Sequence, residues 1–267
     1  MDKVVSFHQG TLPLLVSIPH AGLRLTPAVE AGLVDEARGL PDTDWHIPRL
    51  YAFARELGAS VVVGEYSRFV IDLNRPEDDQ PLYAGATTGL FPATLFEGQP
   101  LFKAGLEPSA AERAGYLEAI WRPYHDTLTG ELARLREQFG YALLWDAHSI
   151  RSVIPHLFDG TLPDFNIGTF NGASCDAALA ERVRAVAAGA QGYSHVLNGR
   201  FKGGHITRHY GAPANNVHAV QMELAQCNYM EEVAPFTYRD DLAQPTQRVL
   251  EQMLVAMLGW GRERYPA

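Results

Sequence analysis

The alternation of apolar and polar positions divides the chain into short strand-like runs and longer helical ones. An apolar run at 14–18 (LLVSI) reads as a buried strand ending at Pro19-His20. Residues 46–57 carry apolar side chains at helical spacing (Ile47, Leu50, Tyr51, Ala54, Leu57) and stop at Gly58, a residue type suited to the position beyond a helix end. Strands are expected at 60–63 and 69–73. The stretch 76–105, rich in Pro, Gly and Thr, reads as a long irregular loop. Loops of that length in a compact domain are usually functional.

Ser109 and Glu112 have the spacing of a capping box, opening a helical segment that runs to Phe139 and stops at Gly140. Pro123 inside it predicts a kink or break. A strand at 141–145 then carries Asp146-Ala147-His148 at its C-terminal end. Further strands are expected at 166–170, 193–197 and 217–224, with a helix capped by Ser174 ending near Gly189 and a closing helix at 246–258. Strands interleaved with helices, without repeats or a linker, predict a single α/β domain over 1–267. Its sheet should be mixed, mainly parallel and flanked by helices.

Composition narrows the function classes. The 267 residues include 22 basic and 31 acidic side chains, a formal net charge of -9. That balance argues against a nucleic-acid or membrane-surface binder, which usually presents a basic face. An anionic small-molecule substrate would have to be drawn in by locally placed arginines. Two cysteines, Cys175 and Cys227, form no framework, so a reducing cytoplasm is the expectation. The N-terminal residues lack a signal-peptide apolar region, and no apolar run approaches a membrane span.

In open α/β sheets, ligands sit beyond the carboxyl ends of strands. Four polar clusters are expected there: Pro19-His20-Ala21-Gly22, Asp72-Leu73-Asn74-Arg75, Asp146-Ala147-His148-Ser149 and Met222-Glu223. A catalytic zinc commonly takes two histidines and a carboxylate, leaving one position open for water. His20 and His148, read as exposed at strand ends, are the candidate nitrogen ligands. Asp44 is the candidate carboxylate, with Asp42 its competitor, since either could instead cap the following helix. No HExxH or CxxC spacing occurs, and the histidines are read as giving no paired cluster for a second metal.

Glu223, in an apolar strand, is either a solvent-facing strand-end carboxylate or a general base with a raised pKa. Arg75 could grip a substrate carboxylate or pair with Asp72 or Glu77. Arg208, in the Gly-bounded loop 203–211, and Arg151 are further candidate anion contacts. No GxSxG or GxxxxGK[ST] motif is present.

Five motifs, SIPHAG (17–22), DTDW (42–45), IDLNRP (71–76), DAHS (146–149) and QME (221–223), resemble the N-formylglutamate amidohydrolases, in matching order from Pro13 to about Tyr229. The resemblance implies hydrolysis of N-formyl-L-glutamate to formate and L-glutamate in bacterial histidine degradation, on a zinc-carboxypeptidase-like fold. It also implies zinc, or another divalent metal such as cobalt, on His20 and His148. Glu223 would then be the base, with Asn74 and Arg75 on the substrate. The related carboxypeptidases and aspartoacylases place their acidic ligand about three residues after the first histidine. Position 23 here is Leu, so the acidic ligand must come from farther along. Two other readings stay open: a zinc hydrolase of another N-acyl amino acid or peptide, and a non-catalytic carboxylate- or metal-binding module.

Overall fold

The computed structural model describes residues 3–82 and 88–266. Seven strands, β1 (Val5–His8), β2 (Leu14–Ile18), β3 (Ser60–Gly64), β4 (Ala142–Ile150), β5 (Phe165–Gly168), β6 (His195–Leu197) and β7 (Val217–Ala225), form one sheet in the order β1-β3-β2-β4-β7-β5-β6. The pairings β3/β2, β2/β4, β4/β7 and β5/β6 are parallel; β1/β3 and β7/β5 are antiparallel. The sheet is therefore mixed and mainly parallel.

The helices are α1 (Pro27–Gly32), α2 (Ile47–Leu50), α3 (Phe53–Leu57), α4 (Ala110–Tyr116), α5 (Arg122–Phe139), α6 (Ala177–Gly189), α7 (His205–Tyr210) and α8 (Asp240–Arg264). Strand periodicity sorts side chains onto the two faces. Leu14, Val16 and Ile18 of β2, with Leu143 and Trp145 of β4 and Val220 and Met222 of β7, pack on one face with Leu179 and Val183 of α6 and Leu250, Met253 and Met257 of α8. Leu15, Val62, Ala142, Leu144 and Ala219 pack on the other with Tyr124, Leu128, Leu132 and Leu135 of α5. Both faces are covered, which is why the strand at 14–18 is buried throughout and apolar at every position but Ser17. Each fully buried Leu, Val or Met side chain contributes ~1.5–3 kcal/mol.

Several expectations need correction. Residues 69–73 form buried turns rather than a strand, because β3 already has β2 and β1 as neighbours and leaves them no edge to join. Segment 46–57 is two short helices rather than one, with Tyr51 between them at φ -95, ψ 17. The capping box at Ser109 and Glu112 is present. The break expected at Pro123 falls just ahead of it: a π-turn at Leu117–Trp121 separates α4 from α5, and Pro123 stands in the first turn of α5, where its missing N–H goes unused. Asp176, not Ser174, caps α6, accepting from Ala178 N at 2.8 Å, while Ser174 donates to Ala219 O. The loop expected at 203–211 contains α7, and the strand expected at 141–145 continues to Ile150. The described residues of 76–105 contain no helix or strand; 83–87 lie outside the described residues.

Candidate active site

The extension of β4 and β7 carries the chemistry inside the sheet. Asp146 and His148 share the parity of Leu144, and Gln221 and Glu223 that of Ala219, so all four belong to the face covered by α5. The parallel register sets Asp146 beside Gln221 and His148 beside Glu223. His20 follows β2, the other neighbour of β4. The expectation that His20 and His148 are exposed is wrong: they are 4% and 2% exposed.

Asp44 reaches the centre from the loop before α2. That loop is held by Asp44 N donating to His20 O at 3.1 Å, and by Ser149 N donating to Asp44 Oδ2 at 3.1 Å. Asp44 Oδ2 lies 3.2 Å from His148 Nδ1 and 3.8 Å from His20 Nδ1. Ligands ~2.1 Å from a tetrahedral ion stand roughly 3.4 Å apart, so these three donors fit one divalent cation. Asp42 is committed elsewhere, accepting from Phe96 N at 2.8 Å and lying 3.6 Å from Arg151.

The opposite ring nitrogens strengthen the fit. His20 Nε2 lies 2.7 Å from Asp72 Oδ1, and His148 Nε2 lies 3.1 Å from Asp146 Oδ2. A carboxylate on the second nitrogen fixes the ring and turns Nδ1 toward a metal. Asp146 is itself held by Ser17 Oγ at 3.2 Å and Thr207 Oγ1 at 3.3 Å. Asp44, Asp72, Asp146 and Glu223 are all buried here, against a single buried guanidinium among the described residues, that of Arg68, so the centre carries an acidic excess suited to a cation.

Electrostatics follow from this crowding. Burial, reinforced by Arg68, lowers the His20 pKa and favours the neutral ligand form. Burial would lower His148 too, but Asp146 and Asp44 outweigh it and raise its pKa well above the usual range. Burial would raise Asp72, yet His20, Arg75 and Arg68 together hold its carboxyl well below the ordinary range. Glu223 is pushed up to about 8, first by burial and then by Asp44 and Asp146 against the pull of His148 and Arg68.

A cavity opens over this centre, lined by His20, Asn74, Arg75, His148 and Glu223 among the expected residues. Asn74 Nδ2 lies 3.0 Å from His148 Nε2, and its Oδ1 accepts from Ile206 N at 2.8 Å. Arg75 donates to Thr88 O and Asn74 O, and its Nη1 is 3.9 Å from Asp72. Arg208 and Arg151 are not among the lining residues: Arg208 donates to Gly203 O and Leu82 O, Arg151 to Glu97.

Among the polar lining residues, Arg68, Arg200 and Thr88 escaped the sequence reading, and Gln221 entered it only within the QME motif, without a role. Arg68 Nη2 donates to Asp72 Oδ2 at 2.7 Å, and Nη1 is 3.4 Å from His20 Nδ1. Gln221 accepts from Gly204 N at 2.7 Å and donates to Glu223 Oε2 at 3.4 Å, linking Glu223 to the 203–211 segment. The alternation of Gln221 with Glu223 was the available signal for it, and an arginine within the apolar run at 67–73 was the signal for Arg68. The histidine reading also overlooked His205 and His209, four residues apart on α7. Their rings stack at 5.0 Å, beside His125 and Trp121 rather than in a ligand set.

Fold and site together define an α/β protein with a buried, metal-capable hydrolytic pocket. A family model, N-formylglutamate amidohydrolase, matches residues 12–230. The N-formylglutamate deformylase of Pseudomonas putida is 78% identical over 99% of both chains. That of Pseudomonas aeruginosa is 68% identical over 99% of this chain and 100% of its own. Among solved structures, N-formylglutamate amidohydrolase from Ralstonia eutropha JMP134 shares the fold at TM-score 0.81 and 22% identity, over 97% of this chain and 99% of that one. A gene product of Agrobacterium tumefaciens does so at TM-score 0.70 and 19% identity, over 98% and 94%. The chain belongs to the N-formylglutamate amidohydrolase family, and it is a hydrolase.

Proposed function

We propose that this chain hydrolyses N-formyl-L-glutamate to formate and L-glutamate, with a divalent metal, zinc or a substitute such as cobalt, held by His20, Asp44 and His148. The observation carrying this reading is the convergence of those three donors beside a buried glutamate in an arginine-lined cavity. When bound, such a metal supplies Lewis acidity toward the formyl oxygen and toward water.

The chain's own groups account for the rest. Glu223 takes the proton of the attacking water as oxygen adds to the formyl carbon, then delivers a proton to the glutamate nitrogen as the C–N bond breaks. Gln221 orients the Glu223 carboxylate through its amide. Arg68, pinned on Asp72 beside His20, stands where negative charge develops on the formyl oxygen. Asn74 and Arg75 bind a substrate carboxylate, a charge-assisted contact contributing ~1.5–3 kcal/mol.

The test is substrate profiling of the purified protein with N-formyl-, N-acetyl- and peptidyl-glutamate. Formate release from the first, with slow or no turnover of the others, is expected. Preferential cleavage of the acetyl or peptidyl compound would replace this reading with that of a different N-acyl or peptide hydrolase.

A further inference from the structure

N-formylglutamate carries two carboxylates, and the cavity presents three arginines, Arg68, Arg75 and Arg200. Their settings differ. Arg68 is committed to the buried centre through Asp72 and His20. Arg75 adjoins it, one residue from the Asn74 that reaches His148 and 3.9 Å from the Asp72 that holds His20. Both arginines follow β3, on one side of β4 and β7 in the sheet order.

Arg200 arrives from the other side. It follows β6, the sheet edge beyond β5, so His148 on β4 and Glu223 on β7 lie between the two groups of arginines. Its Nε donates to Leu157 O at 3.1 Å, and its guanidinium lies 5.5 Å from the Phe201 ring centroid. Leu157, Phe201 and Ile150 give this part of the cavity an apolar lining.

The substrate has the same division. Its α-carboxylate is attached to the carbon that bears the scissile nitrogen, and so must lie close to the reacting formyl group. Its second carboxylate lies beyond two methylenes, which need an apolar wall followed by a cation. Arg75 suits the first position and Arg200 the second.

We propose that Arg200 receives the side-chain carboxylate of the substrate and sets the preference for acidic N-formyl amino acids. The inference rests on the deformylase reading above. A guanidinium fork matches a carboxylate, and its charge-assisted bonds strengthen where water is excluded.

The experiment compares N-formyl-L-glutamate with N-formyl-L-glutamine, which keeps the α-carboxylate and the chain length but loses the distal charge. In the native enzyme formylglutamate is the better substrate. Arg200→Gln is expected to lower its kcat/KM roughly ten- to hundredfold, mainly through KM, while leaving formylglutamine within about threefold. Arg200→Lys should retain part of the preference, and Arg75→Gln should depress both substrates together. The inference is overturned if Arg200→Gln lowers both equally, or if the ratio changes in Arg75→Gln instead. Should Arg200→Gln fail to fold, a reduced preference in folded Arg200→Lys supports the assignment and an unchanged ratio refutes it. Failure of the deformylase reading looks different: the native enzyme then releases no formate from either compound.

Discussion

Glu223 concentrates the opposing demands of this site. A carboxyl 8% exposed, facing Asp44 and Asp146, binds a proton that the unfolded chain has already released at neutral pH. Its folded pKa of about 8 lies above the ordinary value of 4.5, so the metal-free protein loses stability as pH rises through that window. Glu223→Gln removes the penalty. It should abolish formate release yet raise the melting temperature of the chelated protein, more at about pH 9 than at about pH 5, by the equivalent of on the order of 1–3 kcal/mol. Equal melting shifts at both pH values would mean that the carboxyl is not the buried, proton-holding group described. In the base role proposed for it, Glu223 must be ionised, so activity should rise with pH through its ionisation and fall in acid.

At the scale of elements, α7 and the segment leading into it act as a clamp. Gly204 N donates to Gln221, Ile206 N donates to Asn74 Oδ1, and Thr207 donates to Asp146, so this one short segment holds the neighbour of Glu223, the amide beside His148 and the carboxylate behind His148. A Cβ on Gly204 would overlap the Asn74 side chain. Gly204→Ala should therefore cost on the order of ten- to hundredfold in kcat/KM while the protein stays folded. Kinetics beside a melting curve checks this, and native kinetics would show that Asn74 has room to move.

That clamp was not legible in the sequence, since HITRHY between glycines reads as a loop and gains its helix only by docking. The strand at 14–18, the capping box at Ser109 and the strand at 217–224 were legible because local pattern alone dictates them, whereas the choice of Glu223 as base came from the family resemblance. The strand misread at 69–73 shows the limit: its apolar residues serve burial in turns that follow β3, a strand already paired on both sides. Asp72 and Asp146 could be seen as polar residues, but only the register and the turns reveal that each holds a histidine. Arg200 carried no local signal, because its place in the cavity depends on where β6 falls in the sheet.

For the whole molecule, the sheet order places β2, β4 and β7 side by side, so His20, His148 and Glu223 meet although they lie far apart in the chain. Helices cover both faces and bury that meeting point, leaving an acidic excess that a cation would neutralise. Among the described residues no helix is long and apolar enough to cross a membrane. The measurement that tests the account most directly is formate release from N-formyl-L-glutamate by the purified chain, before chelation, after it, and after adding back zinc or cobalt. A metal-dependent deformylase should show activity that disappears with the metal, returns with stoichiometric divalent ion, and does not return in His148→Ala. Full activity in protein shown by elemental analysis to hold no metal would contradict that reading.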